Sequence, residues 1–389
     1  MRTILTAKGL WNGASLLDQP VILIEHGRIE SIESRVASEQ PVADGDLVFH
    51  YPDATLAPAF FDVHIHGAAG HDVMEATPEA LTTIGRFLAA HGTGRYLATT
   101  VTAPLDSTLR SLSGIANRIA HPPDAGETVT WPIGIHLEGP FLSHAKRGVH
   151  PPKLLLAPDI AVFDRMYEAA EGNIRLMTLA PELHGAVEFA AYASARGVRV
   201  SVGHSNATAA ETRAVIAAGA VSATHTFNAM RPLDHREPGI LGVVLATDSL
   251  FAELICDGIH NTPEMVKIWW RCKGPERAIL VTDAMSAAGM PDGEYSLAGL
   301  KIQVANGRAS FGDVLAGSVL SLDKALANFV AFTGARVEQG LRLLTANPAA
   351  MTGVGAQAGQ LAPGDAANIV AVNADGRLAA SFLNGHKAS

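Results

Sequence analysis

Residues 61–67 read FDVHIHG, an apolar run that closes with His64 and His66 two positions apart. Successive side chains of a strand alternate between faces, so both imidazoles project to the same side. Two imidazoles on one face supply a metal ion with its first two ligands, provided that other parts of the chain reach the same place.

Outward from this stretch one pattern repeats: an apolar strand, a polar or glycine-rich tip, then an amphipathic helix. The apolar runs end in FDVHIHG and at residues 97–103, 133–140, 174–181, 198–204, 221–228, 252–260 and 278–284. Eight strand–helix units predict a TIM-like (β/α)8 barrel with its active site at the C-terminal strand ends. The intervening helices carry start signals. Thr77-Pro78 gives an N-cap and first-turn proline before Leu81, Ile84 and Leu88, and Thr208 to Glu211 reads as a capping box.

The two ends of the chain read differently, as short strands between turns. Residues 1–54 and 356–389 are expected to make one small β-sandwich domain, with residues 55–355 as the catalytic barrel. Residues 289–310 predict a hairpin, followed by helices over 320–332 and 337–345, the second stopping before Asn347-Pro348.

Composition narrows the function. The 389 residues are 48% hydrophobic and 17% charged, with a net charge of -9 and no long like-charge runs, which argues against a nucleic-acid partner. Cys256 and Cys272 are too few for a disulfide framework and are expected to be buried thiols in a reducing compartment. The N-terminus lacks a signal-peptide pattern and no apolar run is long enough for a membrane span, so no membrane partner and a soluble, cytoplasmic protein are expected. The Asn206 glycosylation sequon reads as chance.

Polar residues at the ends of apolar strands carry the chemistry, because an unpartnered polar group buried there costs several kcal/mol. His64 and His66, His136 with Glu138, His204, His225 with Asn228, and Thr282 with Asp283 all fall at such ends. Imidazoles and carboxylates around one mouth suit Zn²⁺ or a similar divalent ion. His136 is open between ligand and supporting roles. A divalent ion makes hydrolysis the default reaction, with Asp283 placed to take a proton from water and return it to the leaving group.

The segments APAFFDVHIHG, HLEGPFLSHAKRGVHPP, LAPE, VGHSNA, THTFNAMRPLDHREPG, DGIH, VTDAM and LAGS resemble, in order, those of the amidohydrolase superfamily, and within it the N-acetylglucosamine-6-phosphate deacetylases. The resemblance implies one or two divalent ions, Zn²⁺ foremost with Fe²⁺ or Mn²⁺ as alternatives, an amino-sugar phosphate substrate, and a homodimer. It marks Glu138, His204 and His225 as metal ligands, with Glu138 able to bridge to a second ion at His64 and His66. Asp283 matches the general acid/base, and His150 a histidine that contacts the sugar and polarises the acetyl carbonyl. Asn228, Ala229, Arg236, His260, Leu315, Ala316 and Gly317 match residues around the sugar phosphate, with Arg236 and His260 able to act across a dimer interface. The chain departs from the family at Ser143-His144-Ala145, where many members carry an Asn-Pro turn.

The alternatives are the galacto epimer as substrate, a cyclic amidase, and a non-catalytic sugar-phosphate-binding scaffold. A cyclic amidase needs a carboxylated lysine at the end of the fourth strand, and Leu179-Ala180-Pro181-Glu182 has none. The scaffold reading expects lost ligands, and none is missing.

Overall fold

The computed structural model describes residues 2–34, 42–124, 126–355 and 358–388. Eight parallel strands form its centre: Phe60–Ile65 (β1), Thr93–Thr100 (β2), Trp131–Glu138 (β3), Ile174–Leu179 (β4), Arg199–Val202 (β5), Ala220–Ala223 (β6), Phe251–Ile255 (β7) and Ala278–Val281 (β8). Each pairs with the next in chain order. Because helices cover the outside and side chains fill the inside, the strands read as near-continuous apolar runs, and every residue of β1 is buried.

The ring closes at the C-terminal tips of β1 and β8. Ile65 and Ala284 form a parallel bridge, the Asp283 amide donates to His64 O at 2.9 Å, and the His66 amide donates to Ala284 O at 2.8 Å. Below them the Thr282 hydroxyl donates to buried Asp62 at 2.6 Å. Barrel closure and placement of His64, His66 and Asp283 are therefore one set of hydrogen bonds.

The helix signals act where they stand in the sequence. Thr77 accepts from the Ala80 amide at 3.2 Å and starts Pro78–Ala90, which buries Leu81, Ile84 and Leu88 on one face. Thr208 and Glu211 cap Ala209–Ala217 reciprocally. One helix is additional to those expected. Val337–Leu344 is followed directly by a further helix, Ala346–Thr352, that contains Asn347-Pro348. Pro348 lies in its first turn, where a backbone N–H has no intrahelical partner, and the Asn347 amide donates to Pro275 O and Ala278 O at 2.8 and 2.7 Å. The helix thus stops before the dipeptide, as expected, and the dipeptide opens a further helix that docks against β8.

The expected hairpin extends into a four-stranded antiparallel sheet, Gly293–Leu297, Leu300–Ala305, Arg308–Phe311 and Val314–Leu315. Its alternating apolar face, Leu297, Ile302, Val304 and Ala309, packs with Val101 and Met285 above the barrel. Cys256 is buried, whereas Cys272 is exposed, contrary to the expectation for both thiols. It lies in Pro263–Arg277, which buries Val266, Trp269 and Lys273, and position 272 falls outside that face.

Both termini enter one eight-stranded sheet around a core that includes Leu5, Ile22, Leu56, Ile369 and Phe382. Its strand Leu47–Pro58 runs through position 54 and leads almost directly into β1. The other expected division, at 356, begins at residues outside the described ones. No helix among the described residues is long and apolar enough to cross a membrane.

Candidate metal centre and substrate cavity

Backbone geometry aims the polar strand ends inward. His204, His225 and Asp283 all take positive φ, at 45°, 27° and 50°, a conformation that non-glycine residues adopt at a cost and that concentrates at functional sites. Each strand turns sharply there, and its side chain points over the barrel mouth.

Glu138, at the end of β3, is the hub. One of its carboxylate oxygens lies 3.2 Å from His204 Nε2, 3.1 Å from His225 Nε2 and 3.3 Å from His64 Nε2; the other lies 3.1 Å from His66 Nε2. Asp283 Oδ1 stands 3.1 Å from His66 Nε2 and 3.5 Å from His64 Nε2. Two groups of closely spaced ligand atoms result, Glu138–His204–His225 and His64–His66–Asp283.

The donor chemistry fits a divalent ion in each group. His204 Nδ1–H donates to Lys146 O at 2.9 Å and His66 Nδ1–H donates to Thr99 O at 3.2 Å, which leaves a bare Nε2 lone pair facing inward on both. His204 Nε2 and His225 Nε2 are only 3.0 Å apart, and His64 Nε2 and His66 Nε2 only 3.2 Å. Two such lone pairs repel unless a cation lies between them. The electrostatics agree. Burial opposes charge on His64 and His66, yet Glu138 and Asp283 outweigh it and raise both, His66 to about 9. Burial would raise Glu138 and Asp283, but the facing histidines, His64 foremost, hold both carboxyls well below their ordinary range. The pocket thus strongly favours positive charge.

His136 belongs to neither group. Its Nε2 pairs with Thr178 Oγ1 at 2.8 Å, within a buried chain of hydroxyls through Thr224 to Ser201, and its ring packs 4.6 Å from that of His64. Burial, then the neighbouring His64, pushes its basicity well down, so it is a neutral support beneath the ligands.

These groups open into a cavity of about 460 Å³, within the range of small-molecule sites. His150 borders it, 3.5 Å from Glu138. The Thr102 amide donates to His150 Nδ1 at 3.3 Å, so Nδ1 is the acceptor and the proton resides on Nε2, which faces the cavity. Burial pushes its pKa down to about 4, which keeps the ring neutral at pH 7. Thr102 Oγ1 also lies 2.9 Å from His150 Nδ1, and Gly139 leaves room for that hydroxyl, because a Cβ there would lie 2.0 Å from it.

Asn228, Ala229, His260, Leu315 and Gly317 also line the cavity. Asp257 accepts from His260 Nδ1 at 2.7 Å, which aims the opposite nitrogen. Two of the expected substrate residues stand elsewhere. Ala316 is buried behind the wall with its amide on Ala309 O. Arg236 is exposed and does not line the cavity of its own chain; its loop is held by Asp234, which accepts from the Arg236 and Glu237 amides. Lys146 and Arg147, read only as part of a motif, do border the cavity. The Ser143–Ala145 loop has a definite form: the Ser143 amide donates to His204 O, and a short 3-10 turn follows that delivers Lys146 O to His204.

Glu253, midway along β7, is the residue that reading along the chain passed over. It is fully buried, and its Oε2 accepts from His64 Nδ1–H at 3.3 Å and from the His225 amide at 3.3 Å. The available signal was a carboxylate inside the apolar strand FAELI.

A closed parallel barrel whose C-terminal mouth gathers four histidines, a shared glutamate and an aspartate defines a metal-dependent hydrolase. The chain belongs to the amidohydrolase family, whose sequence profile matches residues 55–387. It is 37% identical to N-acetylgalactosamine-6-phosphate deacetylase of Escherichia coli O157:H7, with all of both chains covered, and 34% identical to N-acetylglucosamine-6-phosphate deacetylase of Vibrio furnissii, over 95% of this chain and 90% of that one. Among solved structures it is similar to a mutant N-acetyl-D-glucosamine-6-phosphate deacetylase from Mycobacterium smegmatis in complex with N-acetyl-D-glucosamine-6-phosphate, with a TM-score of 0.90, 35% identity, and 100% and 99% of the two chains covered.

Proposed function

We propose that this chain hydrolyses the acetamide of N-acetyl-D-glucosamine 6-phosphate to D-glucosamine 6-phosphate and acetate, as a cytoplasmic homodimer carrying one or two Zn²⁺ ions, with Fe²⁺ or Mn²⁺ as alternatives. The observation that carries the reading is Glu138 lying within 3.3 Å of the histidines of both ligand groups, with Asp283 and His150 Nε2–H facing the same cavity. Full-length similarity to sugar-phosphate deacetylases supports the substrate class.

Glu138, His204 and His225 would hold one ion, and His64, His66 and Asp283 a second. A bound divalent ion supplies Lewis acidity, which polarises a carbonyl and favours the hydroxide form of water near pH 7. The remaining steps belong to side chains. Asp283 accepts the proton of the attacking water and returns it to the nitrogen as the C–N bond breaks, so that the amine leaves neutral. His150 Nε2–H donates to the carbonyl oxygen as its charge develops. His260 offers a fixed donor to the substrate, and Arg236 of a second copy offers the planar charged fork that suits a phosphate monoester.

A cyclic amidase is disfavoured at β4, where Glu182, in the place that would need a lysine, accepts from the Ser205 hydroxyl at 2.7 Å and the Asn206 amide at 2.6 Å. The Escherichia coli relative makes the galacto epimer the second reading. The test is acetate release from both epimers, each with and without its 6-phosphate. The proposal expects the highest kcat/KM for the gluco phosphate. A preference of tenfold or more for the galacto phosphate selects the second reading, and no release from either phosphate overturns both.

A further inference from the structure

Glu253 is a carboxylate with no solvent exposure inside a barrel strand, and its Oε1 has no hydrogen-bond partner among the described residues. Burying a carboxylate costs several kcal/mol unless positive charge and hydrogen bonds offset it. Its side-chain partner is His64, whose Nδ1 lies 3.3 Å from Oε2. The far nitrogen of that same ring faces His66 Nε2 at 3.2 Å, Glu138 Oε1 at 3.3 Å and Asp283 Oδ1 at 3.5 Å.

The arrangement is directional. A carboxylate that accepts from Nδ1–H holds the proton on that nitrogen, fixes the ring's rotation and makes the opposite lone pair more basic. The ring it orients is a member of the His64–His66–Asp283 group, with Glu138 of the other group at its edge. On the other side Glu253 meets only the backbone amide of His225, a bond that any acceptor of the same shape could keep. His204 and His66 lean instead on carbonyl oxygens, so His64 is the one ligand histidine here whose ring is oriented by a charged group.

We infer that Glu253 is the positioning residue of the second ion site: acting through His64, it enables His64, His66 and Asp283 to hold a divalent ion beside the one at Glu138, His204 and His225. This rests on the metal reading above. Ion counts require no substrate, so they remain decisive even if the deacetylase reading fails.

The test uses the full chain loaded with excess Zn²⁺, desalted, and counted by inductively coupled plasma mass spectrometry, then dialysed against graded chelator. The parent is expected to hold two ions per chain. Glu253→Gln keeps the volume and an acceptor while removing the charge; it should fold, keep one ion, and lose affinity for the second by about 10–100-fold. His64→Asn should give the same one-ion state, with no further loss in the double variant, because both changes act on one ligand. A purely structural role for Glu253 would leave the ion count of the Gln variant at two. The inference is overturned if the parent holds one ion, if Glu253→Gln holds two with parental chelator resistance, or if it loses both together.

Discussion

In the proposed reaction Asp283 and His150 divide the proton chemistry, because their surroundings push them in opposite directions. Asp283 lies against two histidines that keep it ionised, while burial and the Thr102 amide keep His150 neutral with its proton on the cavity side. One is an acceptor and the other a donor throughout the neutral pH range. Replacing Asp283 with Asn leaves the side chain's shape and removes the base. The expected result is a fall in kcat of about 10²–10⁴-fold, with the ion of the Glu138, His204 and His225 group retained. Single-turnover kinetics beside metal analysis check it, and near-parental turnover would remove Asp283 from the proton path.

At the scale of elements, the strand tips are set by the packing behind them. Helix Gly239–Ala246 follows the loop that carries Asn228 and Ala229, and its last carbonyls are capped by a residue from another helix: Lys273 Nζ donates to Val244 O at 3.0 Å and Thr247 O at 2.7 Å. Burial lowers the Lys273 pKa to about 8. The unfolded chain keeps that proton up to about 10.4. Between these values the unfolded state binds more protons, so this group's contribution to stability rises with pH across the window and is constant below it. Urea unfolding at pH 7.5 and 9.5 should show the parent gaining stability relative to Lys273→Met as pH rises. An equal pH response in the two proteins would contradict the shifted lysine.

At the scale of the molecule, the cavity of one chain contains His260, Lys146 and Arg147 but not Arg236. In the proposed homodimer, a closed twofold assembly would offer each cavity its partner's loop. Mixing Asp283→Asn with Arg236→Ala subunits tests this, since a mixed dimer then rebuilds one complete site of two. If Arg236 acts across the interface, two weakly active variants should regain about a quarter of parental activity after random exchange. Activity no greater than the sum of the separate variants would place Arg236 outside the site.

The alternation of apolar strand and helix determined the barrel by itself, because each unit has to bury both faces of its strand. The same burial made histidines and carboxylates conspicuous at the strand ends. Strand periodicity alone could not rank them; the motif resemblance set Glu138 apart as a ligand and left His136 open between ligand and supporting roles. His136 and Glu138 lie two residues apart on one strand, yet one joins a hydroxyl chain beneath the site and the other is its hub. Nor could it find Glu253, which works from the middle of a strand through a histidine distant in sequence. Position along the chain states which residues are buried together; which atom faces which depends on the closing bonds between β1 and β8 and on left-handed turns at three strand tips, and those exist only once the ring has formed.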